Sequence, residues 1–260
     1  MSGIFLREAG AGSPILFLHG WTMDGGIFKG QFDRLSGRFH CLAPDLPGHG
    51  RAAGMSADLD TAAAMVDAIL TTRGLQAVTL VGWSMGAAVA WRYIARFGCA
   101  RLAGLMTVDM SPKIVNEAGW TRGLIGQDAE SVAAATARMA ADWPGSAGAI
   151  AAGMFATSAG PREYGTAEAE ALIRRTCAPA MLSMWRALVA MDERATIPAI
   201  TVPYLVAHGA RSRVYPAAAA EWLARTAPLA TRHAFAHSGH SPHLEEPDAF
   251  AKRLARFAGR

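Results

Sequence analysis

Residues 82–86 read Gly82-Trp83-Ser84-Met85-Gly86, directly after the apolar, β-branched run Val78-Thr79-Leu80-Val81. A helical pattern follows at once. A serine with glycine two residues to either side fits a tight strand-to-helix turn. Side chains at the glycine positions would collide with the strand and helix that the turn brings together. Such a turn presents Ser84 Oγ at the carboxyl end of a sheet, beside a helix N-terminus. The free N–H groups and positive dipole end found there suit a developing oxyanion, so the chemistry on offer is nucleophilic attack on a carbonyl. The same five residues also fit an ordinary turn with a capping serine. What separates the two readings is a base, an acid and a second oxyanion donor.

A serine hydroxyl is a weak nucleophile and needs an adjacent base. His240, in Ser238-Gly239-His240-Ser241-Pro242, follows the last expected strand and reaches the same sheet edge as Ser84. It is the expected general base, taking the Ser84 proton and later returning it to the leaving group. His233, His237, His240 and His243 straddle a strand end and a Gly-Pro-containing loop and cannot share one helical face. No carboxylate or cysteine at ligand spacing completes a site with them, so no metal is expected. Met85 N–H, directly after the nucleophile, is the expected first oxyanion donor. Trp21 N–H, in Leu18-His19-Gly20-Trp21, is the expected second, with Gly20 letting the backbone come close and the Trp21 ring walling the acyl pocket. The alternative is that His19 and Gly20 only form a tight strand-end turn.

These groups need a scaffold that brings several strand ends to one edge. Short apolar runs alternate with helical patterns, the mark of a mostly parallel sheet covered on both faces. Strands are expected at Pro14–Leu18, Phe39–Ala43, Val78–Val81, Leu102–Val108, Tyr204–Ala207 and Thr231–Phe235. Helices are expected near 59–73, 86–97, 216–226 and 247–258; in the last, Phe250, Leu254 and Phe257 share a face. The alternation breaks between Pro112 and Pro198. Helices near 128–142, 167–177 and 180–192, separated by Gly, Pro and Ser clusters, would form a cap over the carboxyl edge. Residues 1–111 and 199–260 would then form the core and 112–198 the helical cap. Trp120, Trp143, Met154, Phe155, Met181, Met184 and Trp185 supply the cap's own core, and some of them the wall of an apolar pocket.

With 260 residues the chain can bury one full core, and 52% hydrophobic against 18% charged residues excludes a disordered chain. No apolar run is long enough for a membrane span. Met1-Ser2-Gly3-Ile4-Phe5-Leu6-Arg7-Glu8 has neither the charged lead nor the apolar core of a signal peptide. The three cysteines, Cys41, Cys99 and Cys177, are widely spaced, which suits reduced thiols and a cytoplasmic location. The net charge of +4 forms no basic run with interleaved aromatics, so no nucleic-acid partner is expected. Residues 112–198 carry eight Lys or Arg against nine Asp or Glu, a near-neutral segment.

From Pro14 to its C-terminus the chain resembles the α/β-hydrolase family. The resemblance rests on His19-Gly20-Trp21, Asp45-Leu46-Pro47-Gly48-His49-Gly50, the Ser84 turn, His208-Gly209, and Gly239-His240 followed by Glu245-Glu246-Pro247, in that order. His-Gly-Trp with Gly-Trp-Ser-Met-Gly is similar to pimeloyl-carrier-protein methyl ester esterases. Arg92-Tyr93-Ile94-Ala95-Arg96-Phe97-Gly98 resembles the helix after the nucleophile in cofactor-free haloperoxidases, which are perhydrolase-type esterases. The resemblance implies an α/β-hydrolase fold, a helical cap after the strand that follows the nucleophile helix, and a structural part for Asp45. It also implies an acid in the loop after His208-Gly209. There the chain departs from the pattern, with Ser212 where aspartate is usual. Asp109, in Val108-Asp109-Met110-Ser111-Pro112, offers a replacement at the end of the preceding strand, an arrangement similar to haloalkane dehalogenases and pancreatic-type lipases. The order Ser84, Asp109, His240 keeps nucleophile, acid and base in sequence. Asp109 is the favoured acid; the alternatives are a turn-capping Asp109 and a weakened triad with Ser212 alone.

The expected activity is a serine carboxylesterase acting through an acyl-enzyme on a small to medium acyl ester, with no cofactor. Lactone, C–C bond and perhydrolysis chemistry would use the same residues. An acyl-carrier protein is a weakly supported partner, because an acidic carrier would prefer a basic rim to a near-neutral cap. A non-catalytic ligand-binding protein is the reading from another class, motivated by Ser212.

Overall fold

The computed structural model describes residues 4–259. Its strands are Leu6–Ala9 (β1), Ser13–Leu18 (β2), Phe39–Pro44 (β3), Val78–Trp83 (β4), Leu102–Val108 (β5), Tyr204–Gly209 (β6) and Ala230–Phe235 (β7). They form one sheet in the order β1-β3-β2-β4-β5-β6-β7, parallel except for β1, which runs antiparallel to β3.

Alternation along the strands decides the layers. Leu16, Leu18, Leu80, Leu105 and Val206 face one side, where Leu59–Thr72 (α2), Met85–Phe97 (α3) and Ala217–Thr226 (α8) bury Val66, Ile69, Trp91 and Leu223 against them. Ile15, Phe17, Val81, Met106 and Leu205 face the other. There Lys29–Leu35 (α1) and Pro247–Ala258 (α10), the latter just after the short helix Pro242–Glu245 (α9), contribute Leu35, Phe250, Leu254 and Phe257. The chain leaves β2 for β3 on one side and then crosses back to β4 on the other. A crevice therefore opens beyond the carboxyl ends of β2 and β4, the place where open α/β sheets bind ligands. Leu18, the last residue of β2, pairs with Gly82 of β4.

The six expected strands correspond to β2–β7. β1 was not expected: Leu-Arg-Glu-Ala shows no apolar alternation, and its place comes from backbone pairing with β3. Helix α1, which opens on Lys29-Gly30, was missed as well. Between β5 and β6 lie Ala129–Ala141 (α4), Trp143–Gly153 (α5), Thr166–Ile173 (α6) and Ala178–Ala190 (α7). Helix α5 corrects the expectation of a Gly, Pro and Ser separator. Asp142 caps it by accepting from Gly145 N at 2.8 Å, and Pro144 stands in the first turn, where no N–H is required. This helical segment shares its core with the sheet: Met139, Trp143, Phe155 and Met181 join the cluster of Val81 and Trp83. Among the described residues, no helix is long and apolar enough to cross a membrane.

Candidate active site

Ser84 sits between β4 and α3 with φ 52° and ψ −121°, a conformation that L-residues rarely adopt. The flanking glycines make it reachable. A Cβ on Gly82 would lie 2.4 Å from Gly86 O, and one on Gly86 would lie 2.0 Å from Leu18 O. Ser84 N–H donates to Val108 O at 2.9 Å, tying the turn to the end of β5. Met85 opens α3, so its N–H belongs to the first turn, where helical geometry supplies no acceptor.

The loop after β2 is held by an imidazole. His19 Nδ1–H donates to Gly20 O at 2.9 Å, and His19 Nε2 accepts from Leu46 N–H at 2.9 Å. The second bond requires a neutral ring, and burial pulls the His19 pKa down to about 4. Gly20 lets this loop approach the Ser84 turn, since a Cβ there would lie 2.9 Å from the Trp83 ring. Trp21 follows, its Nε1–H donating to Met181 O of α7 at 3.0 Å and its ring centre 5.1 Å from that of Trp185. Asp45 is fully buried and accepts from Gly25 N and Arg51 N at 3.0 and 2.9 Å while pairing with Arg7. Its contacts hold loops together, away from Ser84.

On the other side, His240 Nδ1–H donates to Asp109 Oδ2 at 2.6 Å. Ser212 Oγ–H donates to the same oxygen at 2.6 Å. The Ser212 hydroxyl in turn accepts from Val214 N and Tyr215 N at 3.3 and 3.4 Å. Asp109 is only 3% exposed and has a positive φ of 48°. Its N–H donates to Ala207 O of β6 at 2.9 Å, and its carboxylate turns toward His240 rather than back onto its own turn. Ser212 thus contacts the carboxylate and not the imidazole.

Several supporting residues were not found from the sequence. Trp83 Nε1–H donates to His240 O at 2.7 Å. Glu245 accepts from Gly239 N at 2.8 Å and Ser241 N at 3.3 Å, on either side of His240, and from Ala156 N of the helical segment at 2.7 Å. Glu246 accepts from Ser238 Oγ at 2.6 Å and His237 N at 2.9 Å. The only signal was the motif Glu245-Glu246-Pro247, which says nothing of the partners. The other histidines lie apart: His243 is buried beside Trp83 and Phe28, with its pKa pulled down to about 3 by burial and by His240. His237 is exposed near Arg211, and His233 lies on β7. No group of three or more His, Cys, Asp or Glu side chains suited to a metal occurs among the described residues.

Ser84 and His240 line one cavity of about 230 Å³, together with Trp21 and Trp83 and with Ile150, Met154, Trp185 and Leu188 of the helical segment. That space is just below the roughly 300 Å³ at which pockets for drug-sized ligands begin. The walls are mostly apolar, which suits a compact substrate.

The profile of the Alpha/beta hydrolase family matches residues 15–253, and the chain belongs to this family. Two relatives are similar over nearly their whole length. The pimeloyl-[acyl-carrier protein] methyl ester esterase of Nitrosomonas europaea is 29% identical over 96% of this chain and 97% of its own. The AB hydrolase superfamily protein YisY of Bacillus subtilis is 30% identical over 98% of this chain and 95% of its own. Among solved structures, the esterase EaEST from Exiguobacterium antarcticum superposes with a TM-score of 0.91 at 25% identity, covering 99% of this chain and 96% of that one.

Proposed function

We propose that the chain is a serine-dependent carboxylic-ester hydrolase working through an acyl-enzyme. The observation that carries this reading is the 2.6 Å contact between His240 Nδ1 and Asp109 Oδ2, beside a cavity that His240 shares with Ser84. With Nδ1–H given to Asp109, His240 Nε2 keeps a lone pair for the Ser84 proton. Ser84 Oγ attacks the ester carbonyl carbon as Nε2 takes that proton, and the carbonyl π pair moves onto oxygen. The N–H groups of Trp21 and Met85 receive the oxyanion. Collapse breaks the bond to the alcohol oxygen, which takes the proton from the imidazolium and departs as alcohol. Water then attacks the acyl-serine, giving its proton to Nε2, and the second collapse frees the carboxylic acid and restores the Ser84 hydroxyl. The buried Asp109 carboxylate stabilises the imidazolium in both halves.

The esterase names of the Nitrosomonas relative and the Exiguobacterium structure support the same reaction class. An acyl-carrier protein, as in the relative's name, remains a less favoured partner, because residues 112–198 carry eight Lys or Arg against nine Asp or Glu and an acidic carrier would prefer an excess of positive charge. A small ester fits the cavity better. The free thiols of Cys41, Cys99 and Cys177 favour a cytoplasmic setting. A fluorophosphonate probe is expected to label the wild-type protein covalently and to leave Ser84→Ala unlabelled. Folded wild-type protein that resists labelling would overturn the enzyme reading in favour of a ligand-binding one.

A further inference from the structure

The polar side chains around the cavity are mostly committed to the protein itself. Trp21 Nε1–H donates to Met181 O at 3.0 Å, Trp83 Nε1–H to His240 O at 2.7 Å, and Trp185 Nε1–H to Thr136 Oγ1 at 2.7 Å. Thr22 Oγ1–H donates to Trp21 O at 2.6 Å. No Lys, Arg, Asp or Glu is among the lining residues. A charged group on a bound substrate would therefore be buried without a counter-charge, which is strongly unfavourable.

Tyr215 stands apart from this pattern. It lines the cavity, is only 6% exposed, and its ring centre is 5.9 Å from that of His240. Its backbone is fixed through Tyr215 N–H to Ser212 Oγ, yet its phenolic hydroxyl has no hydrogen-bond partner among the described residues. Burial and then the Asp109 charge push the phenol pKa up, so the group keeps its proton and acts as a donor. The hydroxyl is not fully enclosed, so its donor stays open to water or a ligand, and its residue lines the cavity beside His240, where a substrate atom can meet it.

We propose that Tyr215 is a specificity-determining residue whose hydroxyl donates to a second oxygen of the substrate. The preferred substrates are then compact, uncharged esters that carry an ether, keto or hydroxyl oxygen near the scissile carbonyl. This rests on the ester-hydrolase reading above. It also separates such esters from plain alkyl esters of the same shape, because a site built to meet an oxygen discriminates against the analogue without it.

Two nearly isosteric pairs test this: ethyl methoxyacetate against ethyl butyrate for the acyl side, and 2-methoxyethyl acetate against butyl acetate for the alcohol side. Each kcat/KM is divided by the ester's own alkaline hydrolysis rate, which removes intrinsic reactivity. The wild-type enzyme is expected to favour the oxygenated member of at least one pair by about tenfold, the scale of one neutral hydrogen bond. Tyr215→Phe is expected to bring that ratio to about one. No preference in either pair, or a Tyr215→Phe variant that slows all four esters alike, would overturn the proposal. The normalised wild-type ratios decide the matter even if the variant does not fold. Absence of both hydrolysis and fluorophosphonate labelling would instead refute the ester-hydrolase reading, and this inference with it.

Discussion

On the side of the cavity proposed for the nucleophile, Ser84 owes its place to backbone sterics: Gly82 must clear Gly86 within the same turn, and Gly86 must clear Leu18 of the neighbouring strand β2. On the side proposed for acid–base chemistry, His240 is held by hydrogen bonds to the side chains of Asp109 and Trp83, 131 and 157 residues away. The first arrangement works because two side chains are missing, at Gly82 and Gly86. The second works because carboxylates are present: Asp109 on the imidazole, and Glu245 and Glu246 on the loop that carries it. Steric placement is rigid and indifferent to charge. Placement by hydrogen bonds depends on every partner keeping its protonation state and its rotamer.

Charge removal on the acid–base side is expected to have the largest effect. Asp109→Asn keeps the shape but removes the charge that the proposed mechanism sets against the imidazolium, and its amide can favour the wrong imidazole tautomer. Turnover is expected to fall by about 10⁴-fold, as for the loss of a triad carboxylate. Ser212→Ala removes one donor to Asp109 Oδ2 while the carboxylate stays, and a drop of about tenfold is expected. Steady-state kinetics on the two variants, with one ester, ranks them. Equal and mild losses would mean that Asp109 is not the acid.

The nucleophile side breaks in another way. A Cβ on Gly86 would stand 2.0 Å from Leu18 O, directly before the His19-Gly20-Trp21 loop, so Gly86→Ala must move either the turn or the proposed oxyanion donors. Displacements of about 1 Å in such a site cost about a hundredfold in rate. Both that loss and a lower melting temperature are expected. A variant with wild-type turnover and melting temperature would show that the turn is not held by sterics.

The same contrast explains what the sequence disclosed. Gly82 meets Gly86 within one turn, so the spacing around Ser84 carries most of that turn's geometry even though Gly86 also packs on Leu18, and the six apolar runs mark β2–β7 because their pattern is local. Asp109 surfaced only because Ser212 occupies the usual place of the acid. Nothing local marks an aspartate at a strand end as the partner of a histidine 131 residues on. Glu245, Trp83 and Tyr215 were missed because their importance lies in which backbone group or cavity they meet after folding. Helices α1 and α5 were missed because glycine lowers local propensity, and packing against the sheet and α6 overrides it. Strand β1 has no pattern of its own beyond its pairing with β3.

A smaller effect separates the two sides by pH. The turn from Gly82 to Gly86 contains no titratable side chain, whereas three of the buried histidines elsewhere are strongly shifted. Burial first of all pulls His19 down to about 4 and His49 and His243 to about 3, all from 6.5. Below pH 6.5 the unfolded chain takes up protons on these residues that the folded chain refuses, so folding stability falls as the pH drops. The slope is at most roughly 1.4 kcal/mol per pH unit for each such proton. His208 and His233, also lowered by burial, act the same way, and Glu245, raised by burial, works in the opposite direction near pH 4.5, one group against five histidines. The lowered carboxylates Asp45 and Asp58 start from 3.8 and contribute below that window. Urea unfolding at pH 7, 6 and 5 is therefore expected to give a steadily lower stability. In the folded state His19 Nε2 must stay unprotonated to accept from Leu46 N–H, so the loop that carries Trp21 is where the strain of acidification falls first. A stability that stays flat from pH 7 to 5 would mean that these imidazoles titrate freely and that His19 does not lock the loop as a neutral ring.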